Sequence, residues 1–185
     1  LLDEWPTGGP PLAWTVNGLG QGYASVSVSG GSIYAAGMLG DNHGHIFIID
    51  FDGNVVDQFV YGPETLDSQA PGSRSTPTID GARLYIMSGL GVVYCYDIPS
   101  RTKLWEVDVL DRFSGVQISW SIAESLLIDG DNLICTPGGP NASIVALNKM
   151  TGATVWTTTT LSNPSGYCSP NMITHNGRRI IATMT

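Results

Sequence analysis

Two histidines and a carboxylate stand close together in the sequence, at His43, His45 and Asp41. Imidazole nitrogens and carboxylate oxygens are ligands that transition metals accept, so the three residues could hold such an ion. The same residues also suit a polar loop between two strands. We expect the polar loop and no metal site, and these three residues are the candidate ligands if a metal is bound.

Glu124 is the carboxylate whose surroundings in the sequence are most unusual, because it lies within the largely apolar run 118–128. A carboxylate in an apolar setting must be paired or hydrogen-bonded, or its pKa rises as the charged form loses its hydration. Glu124 is therefore either one half of an ion pair, with Arg74 as the candidate partner, or a group held ready for a ligand.

Three cysteines, Cys95, Cys135 and Cys168, form no recognisable chemical motif. An odd number cannot pair completely, and their spacing matches no zinc-binding pattern. We expect them to act as small buried hydrophobic residues.

The elements that position these residues repeat along the chain. The segment 146–156 reads A-x-N-x-x-T-G-x-x-x-W, with Asn148, Gly152 and Trp156 at its defined positions. A weaker copy lies 51 residues upstream, with Asp97 and Trp105 at the matching positions. Repetition at a period of about 50 residues indicates a repeat architecture.

A second part of the repeat reads as strand, turn, strand and occurs four times. The turns are Gly30-Gly31, Asp80-Gly81, Asp129-Gly130 and Asn176-Gly177. These dipeptides favour two-residue hairpins. Each complete repeat therefore contains four short strands, the size of one propeller blade, and no long stretch has the period of a helix.

Together these motifs resemble the PQQ-like β-propeller repeat, the family of quinoprotein alcohol dehydrogenases and outer-membrane assembly lipoproteins. The A-x-[DN]-x-x-T-G-x-x-x-W segment is similar to that family's tryptophan-docking motif. The resemblance implies structural docking roles for Trp105, Trp156, Asp97, Asn148 and Gly152, with each tryptophan packed against the neighbouring blade.

The resemblance implies an all-β fold, a β-propeller of four-stranded antiparallel blades, over residues 1–185. We place blade 1 at about 22–62, blade 2 at about 74–110, blade 3 at about 119–160, the start of blade 4 at about 167–185, and the outer strand of the closing blade at 10–17. Because the family's rings have seven or eight blades, this is about half of a ring, three full blades plus parts of two.

In a propeller, the first strand of each blade lines the central channel. Alignment of the four first strands places Tyr23, Arg74, Glu124 and Tyr167 at one level of the channel mouth, to within one residue. One interpretation is a structural Arg74–Glu124 pair that bridges adjacent blades. The other is a ligand-binding funnel to which all four side chains contribute.

Composition excludes some classes of function. The net charge is −8 and only 13% of the residues are charged, which argues against nucleic-acid binding because that needs a basic face. No apolar run is long enough to span a membrane.

Two classes of function remain. The first is a non-catalytic binding or scaffold module of a larger secreted or periplasmic protein of the cell envelope, with no cofactor. Its partner would be another protein or the remainder of its own propeller, and open edge strands could also lead to self-association. The alternative that the resemblance implies is a fragment of a PQQ-dependent dehydrogenase of alcohols or sugars. That enzyme would use PQQ and calcium, with Glu124 as the candidate base.

Overall fold

Strands dominate the computed structural model of the chain, which describes residues 4–140 and 142–185. Three four-stranded antiparallel sheets and one two-stranded sheet are formed. Within the described residues the one helix is the short α1 (Val109–Phe113). The prediction of an all-β chain built from four-stranded antiparallel blades is confirmed.

Each sheet consists of consecutive strands in chain order. Blade 1 contains β1 (Ser27–Ser29), β2 (Ser32–Met38), β3 (His43–Ile49) and β4 (Val55–Pro63). Blade 2 contains β5 (Thr78–Asp80), β6 (Arg83–Met87), β7 (Val92–Asp97) and β8 (Thr102–Asp108). Blade 3 contains β9 (Leu127–Asp129), β10 (Asn132–Cys135), β11 (Val145–Asn148) and β12 (Thr154–Thr157). The start of blade 4 contains β13 (Asn171–His175) and β14 (Arg178–Ala182).

Two-residue turns join the first two strands of each blade, as expected, but in blades 2 and 3 they are Gly81-Ala82 and Gly130-Asp131, one residue later than the sequence suggested. In blade 1, Ser29 pairs with Ser32, so only Gly30 and Gly31 lie between the strands, with φ of 57° and 81°. A two-residue hairpin turn of this kind needs left-handed backbone at both positions, which glycine adopts without strain.

The hydrophobic core lies between the blades. Side chains alternate along each strand, so the two faces of a blade contact different neighbours. The seam between blades 1 and 2 buries Tyr34, Ile46, Ile48, Tyr61, Leu84, Ile86, Tyr94 and Tyr96. The seam between blades 2 and 3 includes Tyr85, Met87, Val93, Cys95, Leu133, Cys135, Val145 and Leu147. Removal of this apolar surface from water, at about 25 cal/mol per Å², is the main force that holds the blades together.

At the outer rim of the second seam, Trp105 of β8 contacts the turn between β11 and β12. Its indole Nε1 donates to the carbonyl of Lys149 at 3.2 Å. Gly152 in that turn has a φ of 70°, and a Cβ atom there would lie 2.8 Å from the Trp105 ring. Backbone conformation and the neighbouring ring therefore both require glycine at this position.

Asp97 and Asn148 of the repeat motif each stabilise their own turn. The Asn148 carboxamide oxygen accepts from the backbone N–H groups of Met150 at 2.9 Å and Thr151 at 3.1 Å. The Asp97 carboxylate accepts from the backbone N–H of Ser100 at 3.0 Å. These side chains fold each turn locally, and the Asn148 turn of blade 3 is the one that Trp105 of blade 2 contacts.

The rim between blades 1 and 2 has an ion pair in place of the tryptophan contact. Asp57 of β4 lies 2.5 Å from the Arg101 guanidinium, in the turn between β7 and β8. Arg101 takes the left-handed conformation, with a φ of 57°, at the turn position that glycine occupies in blade 3. The equivalent rim position therefore holds an ion pair in the seam between blades 1 and 2 and a tryptophan contact in the seam between blades 2 and 3.

For Trp156, packing against a neighbouring blade stays a prediction, because the described residues of blade 4 do not include the turn that it would contact. Its side chain is 37% exposed. The contact that Trp105 makes requires the turn between the third and fourth strands of the following blade. Among the described residues, blade 4 has only β13 and β14, so Trp156 has no such turn to contact.

Residues 10–17 do not form the predicted outer strand. A strand needs a ladder of backbone hydrogen bonds, and no described strand pairs with this segment. Val16 and Leu19 instead pack on the face of blade 1 that points away from blade 2. Trp14 also contacts blade 1, and its indole donates to the carbonyl of Phe51 at 2.9 Å.

No helix in the described part of the chain is long and apolar enough to cross a membrane.

Candidate functional site

The starts of the four blades are joined by a row of hydroxyl groups. The backbone N–H of Ser25 donates to Thr76 Oγ1 at 3.1 Å. The N–H of Thr76 donates to Ser125 Oγ at 2.9 Å, and the N–H of Ser125 donates to Ser169 Oγ at 2.8 Å. These bonds fix the alignment of one blade with the next and define equivalent positions at the starts of the blades.

This alignment separates Glu124 from the other three predicted residues. Tyr23, Arg74 and Tyr167 each lie two positions before the hydroxyl residue of their own blade, whereas Glu124 lies one position before Ser125. Successive side chains of an extended chain point to opposite faces. Glu124 is therefore directed away from the face that the other three share.

Arg74 and Tyr23 are in contact across the seam between blades 1 and 2. The guanidinium carbon lies 5.7 Å from the centroid of the Tyr23 ring, a cation–π arrangement. One terminal nitrogen of Arg74 donates to the carbonyl of Ala70. Its Nε is buried and has no hydrogen-bond partner in the described residues.

Tyr167 contacts Trp120, a residue that the sequence did not identify as part of a site. The ring centroids are 5.6 Å apart, and the backbone N–H of Trp120 donates to Tyr167 Oη at 3.1 Å. The Trp120 indole Nε1 donates to Gln69 Oε1 at 2.8 Å. The only signal in the sequence was a tryptophan between two serines, and nothing there pointed to Gln69, 51 residues away.

We call Tyr23, Gln69, Arg74, Trp120 and Tyr167 the mouth surface. Its three aromatic side chains are exposed, with Tyr23 at 65%, Trp120 at 51% and Tyr167 at 48%. Gln69 and Ala70, neighbours in the chain, link the two halves, because one contacts Trp120 and the other Arg74. The mouth surface thus runs from the start of blade 1 to the start of blade 4.

The predicted ion pair between Arg74 and Glu124 is wrong. Glu124 is fully buried, and its carboxylate accepts from the backbone N–H of Thr136 at 2.7 Å and from the Thr136 hydroxyl. Burial raises the pKa of Glu124 from 4.5 to about 7, although the two Thr136 bonds act in the opposite direction. The physical reason is the one-residue offset, which turns the carboxylate into the blade.

A second buried carboxylate, Glu64, was not anticipated. It accepts from the Tyr61 hydroxyl, from the backbone N–H of Thr65 at 3.0 Å and from the backbone N–H of Gly89 at 2.9 Å. Burial raises its pKa. Glu64 thereby fixes the segment after β4 to blade 2, and no apolar run around it signalled this burial.

Asp41 lies in the turn between β2 and β3, whereas His43 and His45 lie on β3 and not in the polar loop expected from the sequence. His45 Nε2 lies 3.0 Å from an Asp41 carboxylate oxygen, and its Nδ1 lies 2.9 Å from Gln58 Nε2. Both ring nitrogens of His45 are thus already engaged by protein groups. Among the described residues, no three His, Cys, Asp or Glu side chains are grouped so that they could hold a metal ion.

The three cysteines are free. Cys95 and Cys135 are fully buried in the seam between blades 2 and 3, and burial raises the pKa of both thiols. Cys168, at the start of blade 4, is partly exposed.

Comparison with known proteins places these features in a family. Residues 42–183, most of the chain, match the family model described as outer membrane protein assembly factor BamB. No curated protein shows significant sequence similarity to the chain.

Several solved structures share the fold. BamB from Moraxella catarrhalis is 18% identical with a TM-score of 0.56, over 91% of this chain and 47% of that one. A europium-containing methanol dehydrogenase is 16% identical with a TM-score of 0.59, over 79% of this chain and 26% of that one. The computationally designed protein Ika4 is 11% identical with a TM-score of 0.59, over 95% of this chain and 99% of that one.

The chain spans about a quarter of the methanol dehydrogenase and less than half of the Moraxella protein. At these identities the likeness shows the fold alone, and the family follows from the extent of the family match. The chain belongs to the PQQ-like propeller family whose model is described as outer membrane protein assembly factor BamB.

Proposed function

We propose that this chain is a non-catalytic segment of a larger PQQ-like propeller and that its mouth surface binds a protein partner. The observation that carries the proposal is the row of exposed aromatic side chains that runs with Arg74 across successive blades. Tryptophan, tyrosine and arginine are the residues that most often dominate the energetics of protein interfaces.

The mouth surface is also held in place before any partner arrives. Trp120 is fixed by Gln69 on one side and by Tyr167 on the other, and Arg74 is fixed between Tyr23 and Ala70. Side chains that are already ordered lose less conformational entropy on binding, so more of the contact energy appears as affinity.

The proposed setting is the cell envelope, with the protein secreted or periplasmic. The description of the matching family, an outer membrane protein assembly factor, supports this setting. We propose that the partner is a protein of that compartment or the remainder of the same propeller.

A second candidate function is that of a PQQ-dependent dehydrogenase segment, which the likeness to methanol and quinohemoprotein alcohol dehydrogenases favours. In such enzymes the quinone supplies the redox chemistry and the protein supplies the base. Glu124 does not fit that role, because both of its oxygens are engaged by Thr136 and it is directed away from the mouth surface. We therefore propose that this segment has no resident quinone or calcium.

Site-specific photo-crosslinking tests the binding proposal. A photoreactive phenylalanine replaces Trp120 in the protein expressed in its own cells, and the matched control replaces Leu104, which is 42% exposed on the outer strand β8. We expect a discrete crosslinked protein from position 120 and none from position 104. Absence of a product from position 120, or the same products from both positions, would refute the proposal.

A further inference from the structure

The mouth surface contains a cation that lacks a carboxylate partner. The chain has sixteen acidic and eight basic residues, and Arg101, Lys103, Lys149 and Arg179 each form an ion pair with one of them. Arg74 takes part in none of the ion pairs among the described residues, although twice as many acids as bases are available.

The charge of Arg74 acts through space to lower the pKa of Glu64, against the larger effect of burial, but the oxygens of Glu64 already accept from Tyr61, Thr65 and Gly89. Glu64 therefore offsets part of the charge without satisfying the guanidinium. A planar guanidinium can bind a carboxylate through two parallel hydrogen bonds.

The second half of the mouth surface suits an aromatic group. Trp120 and Tyr167 lie with their ring planes tilted by 38°, and both rings are about half exposed. A third ring can pack against such a pair edge to face or with an offset, arrangements that aromatic groups prefer.

The two halves of the mouth surface are joined through neighbouring residues, which bears on the shape of the ligand. Gln69 contacts Trp120 and Ala70 contacts Arg74, and consecutive Cα atoms are about 3.8 Å apart. Side chains at positions i and i+2 of an extended peptide share a face about 7 Å apart. An extended peptide with a carboxylate and an aromatic ring within two residues of each other matches this adjacency.

We propose that the mouth surface recognises an extended peptide segment of its partner in which a carboxylate lies within two residues of an aromatic side chain. Arg74 binds the carboxylate, and Trp120 with Tyr167 binds the ring. This inference rests on the proposed function and adds the chemistry of the partner.

The test measures binding of dye-labelled peptides by fluorescence anisotropy. One peptide reads Gly-Phe-Gly-Glu-Gly with an amidated end, a second has Gln in place of Glu, and a third ends in Phe with a free carboxylate. We expect saturable binding of the Glu peptide and binding of the Gln peptide that is about tenfold weaker or more, since a charge-assisted hydrogen bond is lost. The third peptide shows whether a C-terminal carboxylate can also bind Arg74.

Variants assign the effect to Arg74. Arg74→Met should bind both amidated peptides equally weakly, and Arg74→Lys should retain part of the preference because it keeps the charge without the fork. Arg178→Met removes an exposed arginine at the start of β14 and should change nothing. Thermal melting of each variant shows whether it is folded. If Arg74→Met does not fold, Arg74→Lys provides the test.

Equal binding of the Glu and Gln peptides, or full binding by folded Arg74→Met, would overturn the inference. A partner crosslinked at position 120 whose binding is unaffected by Arg74→Met would also overturn it, while the proposed function would stand. Saturable binding of PQQ that depends on Arg74, without binding of the Glu peptide, would overturn both.

Discussion

At the scale of single residues, Glu124 is where the structure differs most from the sequence-based expectation. The repeat alignment placed it at the channel level to within one residue, and that one residue decides which face its side chain takes. Thr136 on the neighbouring strand then supplies two donors. Glu124, which the sequence suggested as an ion-pair partner or a catalytic base, is instead a buried structural group.

The pH dependence of stability should report this burial. The folded-state pKa of about 7 lies above the ordinary value of 4.5, so between these pH values the folded protein binds more protons than the unfolded chain. The free energy of unfolding should therefore fall as pH rises from 4.5 to 7, by at most about 3 kcal/mol. Urea denaturation across this range measures the fall, and Glu124→Gln should reduce it, with the remainder due to Glu64, whose pKa is also raised by burial.

Glu106→Gln is the matched control, because Glu106 is exposed on β8 beside Lys103. The fall should persist in this variant. A Glu124→Gln protein that loses stability with pH as steeply as the parent would show that another group is responsible.

At the scale of the elements, the local features could be predicted and the long-range ones could not. Gly30-Gly31 and the Asn148 turn follow from dipeptide chemistry within a few residues, and the structure forms both. The contact of Trp120 with Gln69 joins residues 51 apart and depends on the path of the segment after β4. No pattern in the sequence encodes that path.

The docking of Trp105 on the turn of blade 3 gives a prediction about glycine. Gly152→Ala should destabilise the protein by about 2–4 kcal/mol. The alanine must adopt a left-handed backbone conformation, and its Cβ must also displace the indole ring. Gly130→Ala is the control. Gly130 has a φ of 60° but nothing within 4 Å of its Cβ position, so only the backbone cost of about 1–2 kcal/mol applies. Equal losses by chemical denaturation would contradict the docking contact.

At the scale of the whole molecule, the two ends of the blade series differ. The outer face of blade 1 is covered by Val16 and Leu19. The corresponding face of the β13–β14 pair is open, with Ile173 at 48% and Ile180 at 42% exposure. A depression of about 370 Å³ lies on this face. An exposed apolar sheet face with free strand edges favours association.

We expect the isolated chain to self-associate through this face, as measured by sedimentation equilibrium at micromolar concentrations. Ile173→Lys places a charge on the face and should shift the equilibrium towards monomer by about tenfold or more. Val56→Lys, at a 58% exposed position of β4, should leave it unchanged. A monomeric parent chain would contradict the expectation.

Binding without catalysis is tested most directly by reconstitution of the full-length protein with PQQ and calcium, followed by dye-linked oxidation of alcohols and sugars. We expect turnover no greater than that of the no-protein blank and no saturable quinone absorbance, because Glu124 is engaged by Thr136 and directed away from the mouth surface. Turnover above the blank would contradict the proposed function, and its loss in Glu124→Gln would identify that carboxylate as the base.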